Sequence, residues 1–519
     1  MRPLLLLALS ALVAAAAQPA RTVPVGDPLY DAVERLQRRG LLLELHPTAL
    51  PYTEAEVRRA LATVDSARVS PRAAEWLGLV RRQLTAAAPG PDRLGIRADL
   101  GVEPVASTSA RLDALRPLRG TADAPSFRVG EGGFWTQADA TVAVGTGAVV
   151  AQLGVFHSLY ANDDPDGFDV VNRAMMRNQE AYVAYRGELA DIALGSIGTH
   201  WGLAGHDALV VSDNPWPFDA LHLRVGTPRV SVRSVVGQLD SARPDGTFRD
   251  EIGERPGDRP NGEPRVDRYL AAHRFDWRPS RKVALTVLES AIYSGENADL
   301  SLGYLLPTQV FTFFVDNTPK NTENNGFVAG MLWAQWRAWT LSGQVLIDDF
   351  DVVSGIEPAS AAITGALVRA DAVPGLDLEL EGTAVTARAY NAPQREGIYT
   401  FALRGLATEF SDYVRLGLGA DWYAARGLTV SPRVQALWQG ERSIESPYPR
   451  NDEAGAILTG DVTRTLRLGL DLAYQSDPRW WARADLGVNA SGDPFADGFH
   501  ATVAVGARLN AAGAVRAGL

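Results

Sequence analysis

From residue 93 onward, apolar and polar side chains alternate with a period of two. In Leu94–Glu103, Ile96, Ala98, Leu100 and Val102 alternate with Arg97, Asp99, Gly101 and Glu103. Tyr413–Tyr423, Arg464–Tyr474, Arg479–Asn489 and His500–Leu509 repeat the pattern, with Leu and Val on one face and Arg, Asp and Gly on the other. Period-two alternation predicts strands. These runs of about ten residues have the length a tilted strand needs to cross an outer membrane. A soluble sandwich also alternates, but its strands usually hold only about five or six residues.

Before residue 93 the period is 3.6. Leu29, Ala32, Val33 and Leu36 form one apolar face, with Asp27 and Pro28 placed to start a helix and Gly40 to end it. Thr53 and Glu56 form a capping-box pattern ahead of Val57, Leu61 and Val64. Ser70-Pro71 opens a third helix carrying Ala73, Leu77, Val80 and Leu84. Three short helices bury little apolar surface alone, so they are expected to pack on one another and on something larger. The stretch 86–92, AAAPGPD, reads as a linker.

Connection lengths decide between the two β classes. Tight turns are expected at Gly145–Gly147, Arg186–Glu188, Gly226–Pro228, Arg278–Ser280, Arg337–Ala338, Ala425–Gly427 and Ser476–Pro478. Long polar stretches lie between them, at 104–132, 161–178, 240–265, 294–325, 349–359 and 441–453. Outer-membrane barrels alternate short periplasmic turns with long outer loops in this way. Trp277, Trp336, Trp339, Trp422, Trp480 and Trp481, half of the 12 tryptophans, flank the short turns where an interfacial girdle belongs.

Nineteen stretches carry strand character: near 94–103, 133–144, 148–160, 179–186, 189–198, 220–226, 229–239, 266–277, 282–293, 326–336, 339–348, 360–370, 376–389, 398–406, 412–423, 428–440, 462–475, 479–490 and 499–509. Bacterial single-chain barrels have an even count, with both termini in the periplasm. The stretch 398–406 alternates least cleanly, so 390–411 is assigned to an outer loop and 18 strands remain. The expected fold is all-β and transmembrane: an 18-stranded antiparallel outer-membrane β-barrel with a small N-terminal periplasmic α-helical bundle. A short positive start, the apolar run Leu4–Ala17 and the small residues Ala15-Ala16-Ala17 read as a signal peptide over 1–17. The helical region then covers 18–92 and the barrel 93–519.

Composition narrows the chemistry. The 519 residues include no cysteine, which excludes a disulfide scaffold, thiolate zinc sites, iron–sulfur clusters and a cysteine nucleophile. The net charge of −11 argues against nucleic acid as a partner. Basic charge is almost all arginine, Lys282 and Lys320 being the lysines.

Within 178–226, a hairpin is followed by Gly198-x-x-Trp201-Gly202 and then by Leu209-x-x-Ser212-x-Asn214-x-x-Pro217. This pattern resembles the capsule-assembly Wzi family of outer-membrane barrels, and residues 27–61 resemble that family's helical region ahead of the barrel. The chain departs from the pattern at Leu203-Ala204 and at Asp213, and its end, AAGAVRAGL, lacks a terminal aromatic. The last strand is therefore expected either to end near Leu509 with a tail or to carry a different insertion signal. The resemblance implies an 18-stranded barrel with a periplasmic helical bundle that holds capsular polysaccharide at the cell surface without catalysis.

Trp201, His206, Asp213, Asn214 and Trp216 combine aromatic faces with hydrogen-bonding groups, a mixture that suits a sugar. They are the candidate polysaccharide-binding residues, although a packed inward loop fixed by Pro215 and Pro217 would use the same residues structurally. The acidic clusters at Asp163, Asp164, Asp166 and Asp169 and at Asp348, Asp349 and Asp351 lack a calcium-loop register and read as solvated loops. Five arginines in loop 240–265 offer contact to an anionic polymer. None of the seven histidines forms H-E-x-x-H, and no G-x-S-x-G elbow occurs. No enzyme activity, cofactor or metal is expected; the partners expected are surface polysaccharide and the outer-membrane bilayer. A diffusion porin of the same architecture is the competing reading, and an outer-membrane hydrolase the less favoured third.

Overall fold

A computed structural model describes residues 21–84, 93–115, 132–146, 148–162, 164, 175–241, 266–295, 298–306, 310–311, 323–349, 360–402, 404–448, 457–494 and 496–516. Helices α1 (Leu29–Arg38), α2 (Glu54–Ala62) and α3 (Pro71–Gln83) come first. Their ends are formed by the residues the sequence offers for it. Asp27 Oδ1 accepts from the Leu29 N–H at 2.8 Å, and Gly40 closes α1 at φ +77°, a conformation that costs glycine little. Thr53 and Glu56 form the capping box, and the Ser70 hydroxyl accepts from the Ala73 N–H at 3.3 Å.

The wall strands follow in pairs joined by short turns. They are β1 (Arg93–Ser107), β2 (Gly133–Gly145), β3 (Val149–Ser158), β4 (Met175–Asn178), β5 (Ala181–Arg186), β6 (Ala190–Ser196), β7 (Asp219–Gly226) and β8 (Val230–Gln238). Next come β9 (Asp267–Ser280), β10 (Val283–Gly295), β11 (Glu323–Trp336), β12 (Trp339–Asp349), β13 (Ser360–Val373) and β14 (Leu376–Val385). A two-stranded ribbon, β15 (Thr400–Phe401) with β16 (Arg404–Gly405), stands apart from the wall. The wall resumes with β17 (Tyr413–Ala425), β18 (Leu428–Gln439), β19 (Thr463–Asp477), β20 (Trp480–Ser491) and β21 (Gly498–Arg516).

Each described wall strand pairs antiparallel with its neighbours, and β4 and β5 both pair with β3 as one interrupted stave. β1 closes on β21 from Arg93↔Arg516 to Ser107↔Thr502, which makes a closed barrel of 18 staves. Closure removes every sheet edge, the condition for a sheet in lipid. β21 reaches Arg516, so the last strand does not stop near Leu509.

The alternation divides the wall into two faces. Leu153 is 61% and Leu468 60% exposed, and Val183, Leu194, Val287, Leu418 and Val503 are exposed with them. Such a band would be unfavourable in water and is what a bilayer requires. The inner face carries ion pairs such as Arg97–Asp99, Arg274–Asp276 and Arg433–Asp421. Trp277, Trp336, Trp422 and Trp480 are exposed near the short turns. Trp481 differs: next to Trp480 on a strand, it must face the opposite side, and its indole N–H donates to Glu103 at 2.7 Å.

The helical unit seals the end bearing the short turns. Arg39 pairs with Asp371 at 3.1 Å and Asp377 at 2.6 Å, and Arg38 with Glu379 at 3.1 Å. Arg278 donates to the Leu43 carbonyl at 2.6 Å, and the Gly427 N–H to Glu75 at 2.8 Å. Trp76 meets Tyr423 edge to face at 4.8 Å. The opposite end is filled by chain folding inward. The segment after β14, expected to stand outside as a loop, buries Tyr390, Ile398, Tyr399 and Leu406 in the lumen. Its apolar residues would be costly in water, and the core they form reaches wall strands from β7 to β18.

Candidate functional site

The segment between β6 and β7 turns into the barrel and meets both plugs. Its Trp201 N–H donates to the Val211 carbonyl at 2.8 Å, folding it back on itself. Gln344 of the wall clips the two limbs, accepting from the Leu209 N–H at 3.0 Å and donating to the Trp201 carbonyl at 3.1 Å. A Cβ at Gly202 would lie 2.8 Å from His200 and 3.0 Å from Ala208, so the Trp201-Gly202 pair suits this close approach. Toward the helical unit, Leu50 and His200 exchange backbone hydrogen bonds of 3.0 and 3.2 Å. From the segment after β14, Tyr390 and Tyr399 donate to the Leu209 and Val210 carbonyls at 2.9 and 2.8 Å.

The five candidate residues separate into three environments. Trp201 is buried in the lumen core. His206 lies deeper, with Nε2 3.2 Å from Glu379 and Nδ1 3.4 Å from Glu381. Asp213, Asn214 and Trp216 line one cavity of about 380 Å³ against the upper parts of β2, β3 and β4. There Asn214 donates to the Gly405 carbonyl at 2.8 Å, and Asp213 accepts from His200 Nδ1 at 2.8 Å. Burial alone would raise the Asp213 pKa, but the charge and hydrogen bond of His200 hold it below the usual carboxylate value.

Phe156, Tyr160 and Arg177 also line this cavity. The Arg177 guanidinium lies 4.3 Å over the Phe156 ring and 4.8 Å over Trp216. Nothing local in the sequence marks them, because they come from strand ends and loops brought together only by barrel closure. Of the first acidic cluster, Asp164 is described and pairs with Arg404 at the cavity edge; Asp163, Asp166 and Asp169 lie outside the described residues, as do Asp351, the signal peptide, the linker 86–92 and the arginines of loop 240–265.

His206, Glu379 and Glu381 place ligand-type atoms within 4.8 Å of one another. Each imidazole nitrogen already faces a carboxylate, and Arg38 pairs with Glu379, so the set matches a protonated imidazole better than a cation site. Burial pushes the His206 pKa down, but hydrogen bonds to both glutamates outweigh it and raise the pKa to about 10. A folded pKa above the unfolded value contributes stability that is full below about pH 6.5 and is lost as pH rises through about 10. We therefore expect the thermal stability of the wild type to fall across that interval more steeply than that of His206→Gln. Parallel pH profiles would remove His206 as a clamp.

A hydrolytic triad is not assembled around the neighbouring residues. His200 Nε2 faces the Leu203 carbonyl at 2.8 Å, while the Ser212 hydroxyl donates to the Ala407 carbonyl at 2.6 Å. Ser212 and Asn214 instead join the inward segment to the outer plug.

Among solved structures, the barrel is similar to Wzi of Escherichia coli, an outer-membrane protein involved in group 1 capsule assembly and a carbohydrate-binding β-barrel. The superposition covers 94% of this chain and 99% of Wzi, with a TM-score of 0.63 at 13% identity. The chain has the Wzi fold. It is also similar to Pseudomonas aeruginosa OccD3, at a TM-score of 0.43 and 11% identity over 80% of this chain and 91% of that one. No family model matches the sequence. No curated protein matches it either. With its closed barrel, apolar outer band and Wzi fold, the protein resides in the outer membrane.

Proposed function

We propose that this Wzi-fold barrel binds capsular or other surface polysaccharide and assists its assembly at the outer face of the cell. The supporting observation is the lumen, which is packed from both ends around an aromatic and polar cavity. A diffusion porin needs an open path, whereas a tether needs only a recessed surface that meets sugar. The mechanism is non-covalent and multivalent. One weak site acting on a repeating polymer, or many barrels on one chain, gains retention through effective concentration.

Purified protein on a glycan array is expected to retain a subset of bacterial polysaccharides, and planar bilayers containing it to stay closed. An inert array together with steady ohmic steps would replace this reading with a porin.

A further inference from the structure

We propose that Arg177 reads a carboxylate on the sugar that enters the 380 Å³ cavity, so the ligand is an acidic glycan bearing uronic acid residues. The inference rests on the polysaccharide-binding reading above and names the class of polymer.

Charges inside proteins are normally matched by a partner. The carboxylates lining this cavity each accept from a defined donor. Asp164 takes Arg404, and Asp213 takes His200 at 2.8 Å. Glu180 accepts from the Gly198 N–H at 2.9 Å and the Thr22 hydroxyl at 3.3 Å, and Asp113 from the Leu115 N–H at 2.9 Å. Arg177 has no carboxylate partner among the described residues. Its Nε and one terminal nitrogen both donate to the neutral Gln179 Oε1, at 3.2 and 3.0 Å. The end-on pair of N–H groups, one on each terminal nitrogen, is left without an acceptor among the described residues.

The surroundings fix that guanidinium in place. Phe156 and Trp216 hold its plane through cation–π contact, and Gln179 fixes its rotation. An oriented, half-buried fork presents two parallel donors at the spacing of a carboxylate. An inorganic anion would satisfy the fork but leave most of the cavity unfilled. A pyranose with a carboxylate takes up more of it, and its hydroxyls can reach Asp213, Asn214 and the Tyr160 side of the pocket.

The test uses the full-length protein in detergent and polysaccharide fragments from the strain that carries the gene. Calorimetric titration compares native fragments, the same fragments after carboxyl reduction, and inorganic phosphate. Reduction is expected to weaken binding to the wild type by roughly tenfold or more, as loss of a charge-assisted hydrogen-bonded pair does. Arg177→Gln should bind native fragments as weakly as the wild type binds reduced ones, with no further loss on reduction, and Arg177→Lys should fall between. Equal binding of native and reduced fragments by the wild type overturns the carboxylate assignment and leaves polysaccharide binding standing. Failure to bind either form overturns polysaccharide binding itself. Phosphate bound as tightly as the native fragments reduces the site to one for small anions and also overturns the assignment. The comparison of native with reduced fragments needs no variant, so it stands even where Arg177→Gln fails to fold.

Discussion

Replacing Asp276 with alanine is expected to destabilise the barrel by about 3–5 kcal/mol, the cost of leaving a buried cation unpaired. Asp276 is 1% exposed and Arg274 0%, and the two pair at 2.8 Å. Arg274 also donates to the Thr48 hydroxyl at 2.8 Å, which ties the helical unit to the wall. Ser231 and Thr286 donate to the same carboxylate, and Arg233 stands 3.8 Å away. His46 lies 3.2 Å off, but burial pushes its pKa down to about 4, so it brings no charge at neutral pH. Removing Asp276 therefore strands Arg274 and loosens the seam between helices and barrel together. Urea unfolding in detergent reads the loss directly. A change of under about 1 kcal/mol, the range of an exposed pair, would show that this network does not hold the two parts together.

Arg268→Leu is expected to release the outer plug. Arg268 is 0% exposed and donates to the Glu396 carbonyl at 2.6 Å, the Ile398 carbonyl at 2.6 Å and the Thr400 carbonyl at 3.1 Å. Each carbonyl stripped of its donor costs about 1–3 kcal/mol while it stays buried, so the segment gains by swinging toward water. Trypsin should then cut after the exposed Arg395 faster than in the wild type, and single-channel steps should appear in planar bilayers. A variant as resistant and as silent as the wild type would place the anchoring of the plug elsewhere, in Tyr390 and Tyr399.

Wall and helices were legible in the sequence because local rules govern them. A strand facing lipid on one side must alternate, and Leu94–Glu103 does so. A helix must end its hydrogen-bond ladder, and Thr53, Ser70 and Gly40 provide the ends. Parity correctly removed 398–406 from the wall, where the structure has the small ribbon of β15 and β16. The plug was not legible. Tyr390, Ile398 and Tyr399 follow no period, and an inward loop differs from an outer one only through partners more than a hundred residues away, such as Arg268 and Val210. The candidate site divided for a related reason. Trp201, His206 and Trp216 are close in sequence, but a segment folded back inside a barrel sends its side chains to the core, the floor and the cavity in turn. Arg177 carries no sequence signal at all, because its meaning depends on having no carboxylate partner among the described residues.

Polymer partition between cell and medium tests the central claim most directly. In a strain lacking the gene, total polysaccharide should match the parent while the cell-bound share falls and the medium gains the difference, and re-expression should reverse the shift. An unchanged cell-bound share in the deletion strain, with the polymer still made, would contradict the account.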